Sequence, residues 1–401
     1  MRVGHGSQLL EVVPGEPMGG YADRSHGVGG VLDPLEVHVV TFAGRHRLAL
    51  VVADLICVNT DAAGRIRAAL RELRIDSCWV AATHTHASPE AGCTPGGEPT
   101  PADVARRLLA ATVGAAKAAI VDEQDAWLTT TRADVAGLAG RRTSGDADPV
   151  DIPVDALVVS TALGVAGVVT VSPVHPTVLP ADNRDVSADL NGAIRRALAA
   201  PGRWVVAATG AAGDISTRHT RRGRSTAELD RLAALVAGDL RLEPSHEPGP
   251  DAVRLPRSRT VRLAPKTAAE VTAATRATAA EAADERSRQV FEQGRRIARD
   301  LAARRRGEPY AVDVQAVRIG GVTLVAIPGE LFLELGEAIR AAAGPEVIVL
   351  GYANGYLGYL PSRSTPPTYE TLVSPVRPGS GEQVVDAAVQ VAGSVTGEES
   401  T

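Results

Sequence analysis

The chain has 401 residues, 44% apolar and 22% charged, with a formal net charge of −5 and a mean hydropathy of +0.00. That balance supplies a large buried core and excludes, on electrostatic grounds, a nucleic-acid backbone or an anionic membrane as partner. Three cysteines (Cys57, Cys78 and Cys93) lack metal-finger spacing, and no apolar run reaches membrane-spanning length, so a disulfide framework and a transmembrane helix are both excluded, and no stable membrane anchoring is expected.

The opening, MRVGHGSQLLEVVPGEP, has no basic segment followed by an apolar one, which predicts a cytoplasmic protein. Residues 35–42 alternate and 47–54 form an apolar run, predicting two adjacent strands. A helix is expected over 60–74, a buried strand over 78–83, and a helix from 101 to 121 with Thr100 as N-cap and Pro101 as first residue. Strands follow near 126–134, 154–160 and 166–172, then a helix at 187–199, a strand at 203–208 and a helix near 226–241. The Ala-, Arg- and Glu-rich stretch 267–306 reads as a solvated helix pair, because its charges cover several faces. A hairpin turns at Gly320–Gly321 between strands 311–318 and 322–327. It is followed by a helix at 331–343, a strand at 346–351, a Pro- and Ser-rich stretch and a closing helix. No internal repeat and no long linker is visible. The expected architecture is a single α/β domain over 1–401, a mixed β-sheet core flanked by helices, with a helical excursion at 264–308.

Polar chemistry gathers at the ends of these strands. Thr83-His84-Thr85-His86 places two imidazoles on one face of an extended segment, where both can reach one ion or substrate. His175-Pro176-Thr177 follows the strand GVAGVVTVS. The loop TGAAGDIST carries Asp214 and Ser216, where a helix-capping turn is an equally good reading. Pro328-Gly329-Glu330 puts a carboxylate at another strand end, a position the helix dipole alone also favours. Asn354-Gly355-Tyr356-Leu357-Gly358-Tyr359 follows a further strand, with Tyr369-Glu370 beyond it. The chain has only six Tyr, so this concentration points to function. In α/β sheets, strand ends are where sites assemble.

In this order, THTHASP (83–89), HPT (175–177), AAGDIST (211–217), PGE (328–330) and NGYLGY (354–359) resemble the motifs of the neutral/alkaline (non-lysosomal) ceramidase family. The stretch MGGYADRSHGVGGVLDPL (18–35) is similar to that family's opening, so the resemblance spans roughly residues 14–372. It implies the fold of the ceramidase catalytic domain, without the family's C-terminal β-sandwich, and a Zn²⁺ ion held by His84, His175, Glu330 and Tyr359. It further implies Ser216 and Tyr369 as active-site residues, and an arginine of the AGRRTS segment, Arg141 or Arg142 with Arg141 assigned, on the polar head of the substrate. His86 is expected behind the metal or facing the substrate. The implied activity is zinc-dependent hydrolysis of a linear amide, an N-acyl small molecule or lipid-like amide, by metal-activated water, with Ser216 in a supporting role. Because the His175–Ser216 connection is short and the β-sandwich is missing, long-chain ceramide is expected to be a poorer substrate than short N-acyl amides. Two alternatives remain at this point: a metal- or ligand-binding relative without turnover, motivated by the altered AAGDIST loop, and an amidohydrolase-type barrel, motivated by His-x-His at a strand end.

Overall fold

The computed structural model describes residues 1–21, 23–95, 99–142, 149–244, 252–278, 285–305 and 307–396. The first strand, β1 (Arg2–Leu9), pairs antiparallel with β2 (Glu36–Ala43), which pairs antiparallel with β3 (Arg47–Ala53). Helix α1 (Thr60–Arg71) then crosses over to β4 (Ser77–Ala82), which lies parallel to β3. A parallel partner requires such a crossover. Helix α2 (Ala102–Asp122) returns to pack on β1.

The same path is taken again. Strands β5 (Trp127–Arg141), β6 (Pro149–Thr161) and β7 (Gly164–Ser172) are successively antiparallel. Helix α3 (Asp189–Leu198) crosses to the parallel strand β8 (Trp204–Thr209), and α4 (Thr226–Asp239) returns to β5. The third pass begins with β9 (Arg257–Leu263), carries α5 (Ala268–Ala277) and α6 (Glu285–Arg305) as an insertion, and continues with β10 (Tyr310–Ile319) and β11 (Val322–Ala326). Helix α7 (Leu333–Ala343) crosses to the parallel strand β12 (Val347–Leu350). A short helix α8 (Tyr369–Val373) precedes α9 (Ser380–Thr396), which packs on β9 and β10.

The main strand orders are therefore β4-β3-β2-β1, β8-β7-β6-β5 and β12-β11-β10-β9. The expectation of no internal repeat holds for sequence motifs but not for topology: one ββ-βαβ-α path occurs three times. The inner faces of the three sheets share one apolar cluster, with Phe42, Leu50 and Trp79 from the first, Leu157, Val169 and Val206 from the second, and Val317, Leu324 and Ile348 from the third. Helices cover the outer faces. The strands form open sheets, so the amidohydrolase barrel is excluded.

The consequence for function is geometric. Each sheet contains one parallel pair, β3/β4, β7/β8 or β11/β12, and loops leaving the C-terminal ends of parallel strands are where α/β proteins bind ligands. The segments after β4, β7, β8, β11 and β12 carry His84, His175, Ser216, Glu330 and Tyr359.

Several expectations need correction. Strand β1 was not anticipated, because Gly4, His5, Gly6 and Ser7 hide its alternation. Strand β9 is exposed over most of its length, so it carries no apolar pattern to read. Thr100 does not cap α2: its hydroxyl donates to Asp61 at 3.2 Å, and Pro101 takes the cap position. The pair α5 and α6 is not fully solvated, since Val271, Ala298 and Phe291 pack with Leu372 of α8. Residues 279–284, within the expected helical span, lie outside the described residues. No helix among the described residues is long and apolar enough to cross a membrane.

Helix α2 approaches β1 closely enough that a Cβ on Gly6 would stand 2.2 Å from the Ala115 carbonyl oxygen. Backbone cannot yield there as a flexible side chain would. Gly6→Ala is expected to destabilise the protein by about 3 kcal/mol, read as a lower denaturant midpoint at unchanged slope. An unchanged midpoint would show that α2 shifts freely over the sheet.

Candidate metal centre

The strand ends converge on three buried imidazoles. His84, His86 and His175 place one ring nitrogen each within 4.8 Å of one another. His84 owes its direction to a left-handed backbone (φ 61°), which turns the chain sharply at the end of β4. Its ring stacks on Tyr352, also left-handed (φ 52°), with centroids 4.0 Å apart. For residues with side chains such backbone is costly and persists only where the surroundings enforce it.

The hydrogen bonds assign the protons. His84 Nδ1 donates to the Ile56 carbonyl at 2.6 Å, and His175 Nδ1 donates to the Ala212 carbonyl at 2.7 Å. A carbonyl only accepts, so each Nδ1 carries a proton and in the neutral ring the bare lone pair lies on Nε2. These two Nε2 atoms face each other at 3.1 Å, with His86 Nε2 3.4 Å from that of His84. Glu330 Oε2 stands 3.1 Å from His175 Nε2 and 3.5 Å from His84 Nε2. Lone pairs so close repel unless a cation lies between them.

The electrostatics agree. Burial, and then Arg142, lowers the His175 pKa to about 4. Burial followed by His84 and His175 holds His86 well below the ordinary imidazole value. Burial works against the Glu330 charge, but His84 and His175 outweigh it and hold the carboxyl well below its usual range. Neutral imidazoles around an ionised carboxylate are the donor set that a zinc-type cation takes. His86 Nδ1 is in addition buried without a partner. The residues fit a metal.

Phenols and one guanidinium surround this set. Tyr356 donates its hydroxyl to Glu330 Oε1 at 2.5 Å, and Tyr352 donates to Oε2 at 3.4 Å. Burial raises both phenols well above 10, so they remain donors. Arg142 places Nη1 3.2 Å from His175 Nε2 and 3.4 Å from the Tyr359 hydroxyl, and its Nε is 3.2 Å from Glu370. Burial opposes its charge, and Tyr359 and Glu370 outweigh that opposition and raise its pKa. Tyr359 lies beside His175, ring centroids 6.2 Å apart.

Of the residues expected from sequence, His84, His86, His175, Glu330 and Tyr359 come together here. His86 stands among the donors rather than behind them. Ser216 is adjacent: its backbone bridges to that of His175, and its hydroxyl accepts the Arg218 N–H at 3.3 Å. The capping reading of that loop also holds, since Ser216 caps a short 3-10 turn and Asp214 Oδ1 accepts the Leu333 N–H at the start of α7. Gly213 is needed there because a Cβ would stand 2.5 Å from the Glu330 carbonyl oxygen. Arg141 does not reach the cluster; it pairs with Asp214 at 2.6 Å, and its neighbour Arg142 occupies the site instead. Successive residues in extended chain point to opposite sides, so at the end of β5 Arg141 and Arg142 diverge and one of the two faces inward. Tyr369 packs edge-on against Phe291 of α6, with burial pushing its pKa up to about 12. Glu370, next to it, makes the ion pair with Arg142. Sequence reasoning assigned no role to Glu370, Tyr352 or Tyr356; the density of Tyr after β12 was the available signal for the two phenols.

What emerges is a buried histidine–carboxylate cluster at the meeting point of three sheets, in an α/β fold, with three imidazoles placed so that they could hold a metal ion. No family profile matches the sequence, and no curated protein matches it. Two solved structures share the whole fold. One is a ceramidase complexed with C2, at TM-score 0.71 and 17% identity, the match covering 100% of this chain and 76% of that one. The other is the neutral ceramidase from Pseudomonas aeruginosa, at TM-score 0.69 and 18% identity, with the same coverage of 100% and 76%. The fold is that of neutral ceramidase, as the motif resemblance implied.

Proposed function

We propose that this protein is a zinc-dependent amidase that hydrolyses a linear N-acyl amide, with His84, His175, Glu330 and Tyr359 as the metal ligands and His86 beside them. The observation that carries the reading is the pair of bare Nε2 lone pairs held 3.1 Å apart next to an ionised carboxylate. The chemistry such an ion supplies when bound is Lewis acidity, lowering the pKa of a water to about 7 and polarising a carbonyl. Sharing a fold with a ceramidase crystallised with C2 supports an amide as the substrate.

The chain's own groups have definite tasks. The carbonyls of Ile56 and Ala212 fix the tautomers of His84 and His175. Tyr352 and Tyr356 orient the Glu330 carboxylate. Arg142, aimed by Glu370, presents a guanidinium N–H to the same space, where it can hold the carbonyl oxygen as negative charge develops. Ser216 is a supporting donor and not the nucleophile. Its hydroxyl accepts the Arg218 N–H and, among the described residues, is hydrogen-bonded to no imidazole, so no base is placed to take its proton.

The test is hydrolysis of a panel of short and long N-acyl amides before chelation, after chelation and after zinc is restored. Turnover that disappears and returns with zinc supports the reading, and turnover indifferent to chelation overturns it. Short N-acyl amides are expected to exceed long-chain ceramide in kcat/KM. Ser216→Ala is expected to lose about 10²–10³ in rate while remaining measurable. An acyl-Ser216 adduct found by mass spectrometry would reverse that assignment.

A further inference from the structure

The segment Arg218-His219-Thr220-Arg221-Arg222-Gly223-Arg224 is a cationic run in a chain whose net charge is −5. It is anchored to the metal centre at two points. Ser216 bridges to His175 and receives the Arg218 N–H, which pins the start of the run beside a ligand. Arg221 Nη1 donates to the Thr177 carbonyl at 2.9 Å, two residues past His175. The Tyr21–Arg24 loop covers the same region: Tyr21 donates to the Leu179 carbonyl at 2.6 Å, and Arg24 donates to the His86 carbonyl at 2.7 Å.

These arginines lie at or near the surface beside the cluster. Arg218 is exposed, yet its charge acts on Arg142, Glu370 and Tyr359, which form the inner wall. Arg224 is exposed as well, and Arg221 is half-buried between them and Tyr21. The inner arginines already have counter-ions, Glu370 for Arg142 and Asp214 for Arg141. Among the described residues, no carboxylate lies within ion-pair distance of Arg218, Arg221 or Arg224. Two acids are close. Asp189 is buried and occupied by the N–H groups of Val178, Leu179 and Leu190 at 3.1, 3.0 and 2.8 Å. Asp23 acts on Arg24. Three guanidinium groups held near one another at the surface repel, and an incoming anion relieves that repulsion.

We infer that the rim formed by Arg218, Arg221 and Arg224 is a binding subsite for an anionic group on the substrate, so that the preferred substrates are N-acyl amides bearing a carboxylate or a phosphate. This rests on the amidase reading above and narrows its substrate class. Guanidinium groups suit both anions because their planar N–H pairs match two oxygens at once.

The experiment compares three amides with one acyl chain on zinc-loaded protein: N-butyrylglycine, N-butyryl-phosphoethanolamine and the neutral N-butyrylglycinamide. At low ionic strength, kcat/KM for at least one anionic member is expected to exceed that for the neutral one by about tenfold, with the advantage shrinking as salt is raised. The larger of the two anionic values tells whether carboxylate or phosphate is the better fit. Arg218→Gln, and separately Arg224→Gln, should each reduce the anionic-to-neutral ratio several-fold, while Arg218→Lys should keep most of it. Both side chains are exposed, so folding is not at stake. Equal kcat/KM values, or a ratio unmoved by both Gln variants, would overturn the inference while leaving the amidase intact. Calorimetric binding of the same three compounds separates the other failure. Anion-selective binding that Arg218→Gln abolishes, with none of the three hydrolysed, would keep the rim and sink the amidase. No binding and no turnover would sink both.

Discussion

Replacing His175 with alanine is expected to remove the metal and amide hydrolysis together. The ring is fully buried, anchored by its Nδ1–H on the Ala212 carbonyl, and its Nε2 faces His84, Glu330 and Arg142 within 3.1 to 3.2 Å. Without it, Glu330 loses its nearest imidazole and Arg142 loses one of its three polar partners. A ligand set reduced in this way forfeits several kcal/mol of transition-state stabilisation, which is at least about 10³-fold in rate. Metal quantification on dialysed protein and the amide assay read the two losses separately. Stoichiometric zinc with wild-type turnover in His175→Ala would remove this residue from the ligand set. Metal removal from the wild type should also lower its unfolding temperature, because the bare lone pairs of His84 and His175 are then left facing each other.

The second large effect is expected at Arg142 and not at Arg141. Arg142→Ala leaves Glu370 buried without its counter-ion, since the Glu370 side chain is only 5% exposed and the arginine 12%. Breaking a buried pair by removing one partner costs about 3–5 kcal/mol, so unfolding should shift visibly along with a fall in kcat/KM of about 10²–10³. Lysine should not rescue it. One guanidinium reaches Glu370 through Nε and both His175 and Tyr359 through Nη1, and a single ammonium cannot span them. Adding Glu370→Gln to Arg142→Ala should restore much of the stability and none of the activity, which separates the structural from the chemical contribution. By contrast, Arg141→Ala breaks a pair with Asp214 whose arginine is 33% exposed, and the expected change in kcat/KM is under tenfold. Equal effects at the two positions would show that the arginine facing the cluster does not contact substrate.

What was readable in the sequence follows from where the site residues sit. His84, His175 and Glu330 come directly after apolar strands, so each strand marks its own functional loop, and five such loops in order suffice to suggest a fold. The helices over 60–71, 189–198 and 333–343 and the strands they connect were legible for the same reason, because burial of one face imposes a period on the residues. The paired arginines were not separable, since adjacent residues share composition and context and differ only in the direction each takes at the end of β5. Glu370 was invisible as a partner of Arg142, because an ion pair across the chain leaves no periodic or local trace. The threefold topology was equally hidden. It is written in backbone hydrogen bonds, which any residue but proline can donate, so three passes of unrelated sequence take one path. Residue types alone therefore determined which chemistry is available. The meeting of three parallel strand pairs decided which of those residues share a single centre, because only there do backbone carbonyls fix the imidazole tautomers and turn separate side chains into one donor set.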